Sequence, residues 1–310
     1  MVGHHGHHHH AVRAGTDRRA LSLALALILA FMAVEVVVGI LASSLALLSD
    51  AAHMLTDAAA LALSLVAARL AARPAKGAMT YGMGRAEVLS ALVNGITLLV
   101  LGAVIVFEAV RRLGAPPDVD AAPVLAVALA GVVVNLVAAR LLAGPERRSL
   151  NMEGSYQHIL TDLYAFAATA IAAAVILLTG FARADAIASL VVAGLMVWSS
   201  YGLLRASGRV FLEAAPEGVD PDAIGRALAA AAEVTEVHDL HVWEVTSGFP
   251  ALSAHVVVGE KADCHAARRR LEALLDERFD LHHTTLQVEH EAPPELLSIE
   301  TAGGEAAPHA

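Results

Sequence analysis

Six runs of mostly apolar residues decide what this chain can become. They lie near residues 20–42, 45–71, 86–111, 121–142, 154–179 and 184–206. About twenty residues at ~1.5 Å per residue span the ~30 Å hydrocarbon core of a bilayer as a helix. Lipid offers no hydrogen bonds, so a spanning backbone must satisfy itself, and each run is read as a helix. Turn residues mark the breaks: Arg73-Pro74 with Gly77, Gly114-Ala115-Pro116-Pro117, Gly144-Pro145 and Thr179-Gly180. The first run is too long for the apolar region of a signal peptide and lacks a cleavage site, so it too is read as a span. Of 310 residues, 57% are hydrophobic and 17% charged, with a mean hydropathy of +0.61. That composition excludes an ordinary soluble domain.

Charge divides the chain in two. Residues 1–212 hold 15 bases and 12 acids, whereas residues 213–310 hold 6 bases and 19 acids. The acidic part argues for cations and against nucleic acid. Lys and Arg flanking the spans set the expected orientation. Twelve fall on the side of the N-terminus and only Arg111, Arg112 and Arg183 on the other. Both termini are therefore expected in the cytoplasm.

After Pro216 the pattern changes. PDAIGRALAAAAEV reads as an amphipathic helix, VHDLHVWEV and ALSAHVVV as strands, ADCHAARRRLEALLDERF as a second helix and TTLQVEH as a third strand. The expected fold is an all-α six-helix transmembrane bundle followed by a small α+β domain of order αββαβ. Its parts are an N-terminal tail (1–19), a membrane domain (20–212), a cytoplasmic domain (213–292) and a disordered tail (293–310). HHGHHHH at 4–10 reads as a metal-binding tail, although an interrupted affinity tag has the same composition. A single cysteine, Cys264, excludes an intrachain disulfide and a cysteine-based zinc knuckle.

Two spans carry residues that lipid disfavours. SDAAHMLTD places His53 and Asp57 in the second, and YQHILTD places His158 and Asp162 in the fifth. Both read His-x-x-x-Asp, and four helical residues put the pair on one face, one turn apart. Intramembrane charges cost several kcal/mol and normally face the protein interior. If the two spans face each other, two imidazoles and two carboxylates converge. That set suits tetrahedral Zn²⁺, whose double charge the carboxylates offset. One such pair alone reads equally well as an interhelical hydrogen bond or a proton relay, and a closed four-ligand site as structural zinc. Two copies in separate spans favour a metal. Glu35, Asn94, Asn135 and Asp185 also fall in or near spans, either lining a water-filled path or bonding between helices. No His-Glu-x-x-His, P-loop or nucleophile elbow is present, so the chain is not read as an enzyme.

SLALLSDAAHMLTD, TYGMGRAEVLSALVNG, FEAVRRL, SLNMEGSYQHILTD, ADAIASL and VHDLHVWEVTSG together resemble the cation diffusion facilitator family, and most of all its bacterial zinc/cadmium/cobalt efflux members. The resemblance covers about residues 18–291. It implies a homodimer in a bacterial inner membrane, with a metallochaperone-like cytoplasmic domain that helps dimerise. It further implies divalent metal efflux driven by inward-moving protons. The family's transport ligands fall on His53, Asp57, His158 and Asp162, and a histidine at position 53 implies zinc preference. By position, His238, His255 and His290 match a further metal site in the cytoplasmic domain, with His265 a less certain match. Ala292 stands where some members place a carboxylate, and Glu289 or Glu291 could replace it. The loop RLAARPAKGAMTYG has no ligand, so no metal is expected there. His282 and His283 are expected on the surface, Cys264 to be inert and Trp243 to lie in a core or interface.

The expected function is proton-coupled zinc export by alternating access. A membrane zinc sensor or storage scaffold that transports nothing is the competing reading.

Overall fold

The computed structural model describes residues 8–41, 45–115, 121–143 and 150–291, with the side chains of 8–18, 35, 38–53 and 56 outside the description. Most of the His-rich start and the tail expected at 293–310 therefore lie outside the described residues or their side chains.

Six helices come first: α1 (His8–Leu41), α2 (Leu45–Ala71), α3 (Arg85–Gly114), α4 (Ala121–Leu142), α5 (Leu150–Thr179) and α6 (Ala184–Phe211). Among the described residues, α3 to α6 are long and apolar enough to cross a membrane, and α1 adds a shorter apolar stretch, Arg19–Val34. Helix α5 starts four residues before the expected Gly154. In its first turn Asn151 Nδ2 donates to Ser64 O of α2 at 2.8 Å.

Small residues set the packing. Leu21 and Ile28 of α1, Leu61 of α2, Leu142 of α4 and Ile159 of α5 share one buried cluster. Leu98 of α3 packs with Val192, Met196 and Leu203 of α6 in another. Gly131 of α4 lies so near the Phe166 ring of α5 that a Cβ there would collide with it. Close backbone approach through glycine and alanine is how helices associate without a hydrophobic driving force. Phe107, Leu178 and Trp198 are highly exposed. On a soluble protein that would be a liability, but lipid is their natural solvent.

The chain divides into two compact units, Met1–Ala214 with Glu244–Phe249, and Ala215–Trp243 with Pro250–Ala310. The second has the expected order: α7 (Pro221–Ala229), β1 (Val234–Thr246), β2 (Phe249–Val258), α8 (Cys264–Phe279) and β3 (His283–His290). Asp220 caps α7 by accepting from Asp222 N, with Pro221 opening the helix. Asp263 caps α8, accepting from His265 N and Ala266 N. The Ala266 N–H, followed by that of His265, holds its carboxyl below the usual carboxylate range. The sheet order is β1-β2-β3, with β2 and β3 parallel. Leu252, Ala254, Val256 and Val258 alternate along β2 into a core shared with Ile224, Leu228, Leu271 and Leu275.

Candidate metal centre

Helices α2 and α5 bring the intramembrane residues together. His158 Nε2 stands 3.1 Å from Asp57 Oδ1 across the helix pair and 3.7 Å from Asp162 Oδ2 on its own helix. All three residues are buried, at 2%, 4% and 7% exposure. Their ligand atoms all lie within 4.8 Å of one another. His158 Nδ1 is buried and has no hydrogen-bond partner among the described residues. Two carboxylates around one imidazole concentrate negative charge where water is excluded, and a dication offsets it. The Nε2 atom that faces both carboxylates is able to serve as a metal ligand when it is deprotonated. His53 also belongs to α2, but its side chain lies outside the described residues.

Other polar residues singled out in sequence take different places. Asn135 Nδ2 donates to Gly131 O of its own helix at 3.1 Å. Asp185 pairs with Arg112 at 3.4 Å, and Arg112 also holds Glu108 at 3.1 Å. Asn94 Nδ2 donates to Ser64 Oγ at 3.3 Å, both residues being buried. Glu35 lies outside the described side chains. The part of Ser64 was not anticipated. The available signal was its spacing: Ser64 follows Asp57 by seven residues, as Asn151 precedes His158 by seven.

A second group sits in the α+β unit. His238, His255 and Glu289 place one ligand atom each within 4.8 Å of one another. The His238 and His255 rings lie 5.2 Å apart, and His255 Nδ1 is 3.7 Å from Glu289 Oε1. Strand parity explains the membership. In the β2–β3 register His255 pairs Gln287 and Val257 pairs Glu289, so Glu289 shares the face opposite the core. His290 is one residue on and points to the other face. There its Nε2 lies 2.9 Å from Ala262 O and 3.5 Å from Cys264 Sγ. In β1, Val237 and Leu240 both pack on the core although three residues apart. The extra residue is accommodated at Asp239, whose φ of 53° is left-handed. This bulge leaves both His238 and His241 exposed. His241 pairs with Asp239 at 3.0 Å. His282 pairs with Asp276 and Asp280, and His265 is not part of the group.

The chain matches two family models in succession. The cation efflux transmembrane domain matches residues 21–212, and the cation efflux protein cytoplasmic domain matches residues 216–291. It is 35% identical to the cadmium, cobalt and zinc/H(+)-K(+) antiporter of Bacillus subtilis, over 93% of each chain. It is 36% identical to the metal cation efflux system protein CzcD of Cupriavidus metallidurans, over 92% of this chain and 89% of that one. It is 37% identical to the zinc transporter ZitB of Escherichia coli, over 93% of each chain.

Proposed function

The chain belongs to the cation efflux family, and on that premise we propose that it exports divalent metal cations, zinc by preference, in exchange for protons. One observation carries the reading: His158 Nε2 is held between Asp57 and Asp162 at 3.1 and 3.7 Å inside the helix bundle. With His53 as fourth ligand, the set is two imidazoles and two carboxylates, which suits tetrahedral zinc.

The cycle follows from ligand chemistry. Metal binding requires deprotonated ligands, so zinc entering from the cytoplasm displaces protons from the site. The helices then rock to open it outward, where protons replace zinc and the protonated carrier returns. The same side chains bind both ions, which makes their occupancy mutually exclusive. The Lys and Arg distribution supports an orientation with both termini in the cytoplasm of a bacterial inner-membrane protein.

The His238–His255–Glu289 group would take regulatory zinc in a homodimer. The acidic cytoplasmic domains repel one another, and bound zinc would relieve that repulsion and draw them together. Proteoliposomes loaded with a zinc dye test the whole reading. Zinc flux that changes the pH of the loaded compartment and needs Asp57 and Asp162 supports it. Binding without flux supports the sensor or storage reading instead.

A further inference from the structure

Below the His158 site, the same two helices make a second polar rung. Asp57 and Ser64 are seven residues apart on α2, and His158 and Asn151 seven apart on α5. Seven residues are two turns and about 10 Å of rise, so both rungs lie on one seam. Asn151 Nδ2 donates to Ser64 O at 2.8 Å, and Asn94 of α3 donates to Ser64 Oγ at 3.3 Å. Gly154 keeps the α5 backbone open here, and a Cβ on it would meet Asn94 Nδ2 only at an ordinary contact distance of 3.7 Å. Ser64, Ser90, Asn94 and Asn151 are all 2% exposed or less.

The hydrogen bonding is incomplete. Asn151 Oδ1 and Ser90 Oγ are buried with no partner among the described residues. Such an orphan is destabilising, because the group is desolvated with nothing in return. An interhelical lock alone is not a reason to keep one, because an apolar side chain would pack the same seam without it. The rung lies on the side of the site where α2 ends and α3 and α5 begin. That is the end assigned to the cytoplasm above.

Resting on that reading, we infer that the Ser64–Asn94–Asn151 junction is the passage by which a divalent cation reaches His158 from the cytoplasm. Asn151 Oδ1 and the neighbouring hydroxyls replace hydration water as the ion sheds it. Their neutrality matters: amide and hydroxyl oxygens solvate a dication without offsetting its charge, so they hold it briefly. Carboxylates there would compete with Asp57 and Asp162 for the cargo. Glu153, in the same first turn as Asn151, lessens the repulsion a cation meets at the positive end of α5.

The test uses the full chain in proteoliposomes, with zinc as the probe. Asn151→Leu should lower the initial transport rate about tenfold, the equivalent of one lost buried partner in the entry barrier. Asn151→Ser, which keeps an oxygen, should recover most of it. Equilibrium zinc affinity in detergent should stay within about twofold of wild type, because the binding site itself is intact. A second measurement does not depend on transport. In a Cys264→Ser background, Asn151→Cys should react with a small cationic thiol reagent added from the cytoplasmic side, and zinc should slow that reaction. If wild type carries zinc but Asn151→Leu matches its rate, or the introduced thiol is inert, the passage is overturned. If wild type carries no zinc, the transport reading fails first.

Discussion

His158 Nε2 lies 3.1 Å from Asp57 Oδ1, and the two residues belong to helices α5 and α2. The bond therefore measures how closely the two His-x-x-x-Asp motifs are brought together. It also shows that the candidate site is built by helix packing rather than by a loop. In the proposed export cycle, a relative movement of α2 and α5 would take the shared set apart.

Removing either carboxylate should abolish export. Asp57→Ala and Asp162→Ala leave one negative charge to face a dication at membrane depth. Loss of an outer-shell partner already weakens metal binding about 10–100-fold, so loss of a direct ligand should exceed that. Calorimetric zinc titration of the solubilised protein, alongside vesicle flux, checks this. Wild-type flux in either variant would remove the site from the mechanism.

Zinc affinity should fall as the pH falls. Metal binding needs the imidazole and carboxylates deprotonated, so protons compete and the apparent Kd rises on acidification. Over the range where a site exchanges one proton for zinc, each pH unit shifts the Kd about tenfold. Affinity measured across several pH values reads the slope, and Asp162→Asn should make it shallower. A Kd independent of pH would contradict exchange at a common site.

In the cytoplasmic unit, Glu289→Gln and His255→Ala should each weaken zinc binding, while His290→Ala should leave it nearly unchanged. The reason is parity along β3. Glu289 shares a face with His255, and His290 turns to Ala262 and Cys264. Zinc stoichiometry per chain, with a distance probe across the dimer, separates these variants. Dimer closure that ignores zinc would end the regulatory reading.

The parts legible in sequence are those where local pattern and membrane physics agree. The spans could be read because lipid forces apolar runs into helices. Asp57, His158 and Asp162 stood out because charge in such runs is costly. Position aligns His290 with the other histidines and leaves Glu289 and Glu291 as alternative carboxylates, and only the strand register singles out Glu289 beside His255. Face membership depended on the β2–β3 register and on the bulge at Asp239, and neither is written in local composition. Helix α5 extends four residues before the expected span, into a first turn fixed by a tertiary bond rather than by local composition. There Asn151 Nδ2 donates to Ser64 O, from a distant part of the chain.

Packing of α4 on α5 can be tested at Gly131. A Cβ there would meet the Phe166 ring well inside contact distance, with the ring carbons Cδ1, Cε1 and Cγ all in the way. Gly131→Ala must move the ring or the helix, and overpacking of this kind costs about 1–3 kcal/mol. Phe166 lies four residues beyond Asp162 on the same helix, so a shift of α5 should also disturb the metal site. The expected result is a lower thermal midpoint together with weaker zinc binding. Shrinking the ring in Gly131→Ala/Phe166→Leu should restore both, since contacting residues couple strongly in double-mutant cycles. Unchanged zinc binding in Gly131→Ala, despite a lower thermal midpoint, would show that α5 holds its ligands independently of its packing on α4.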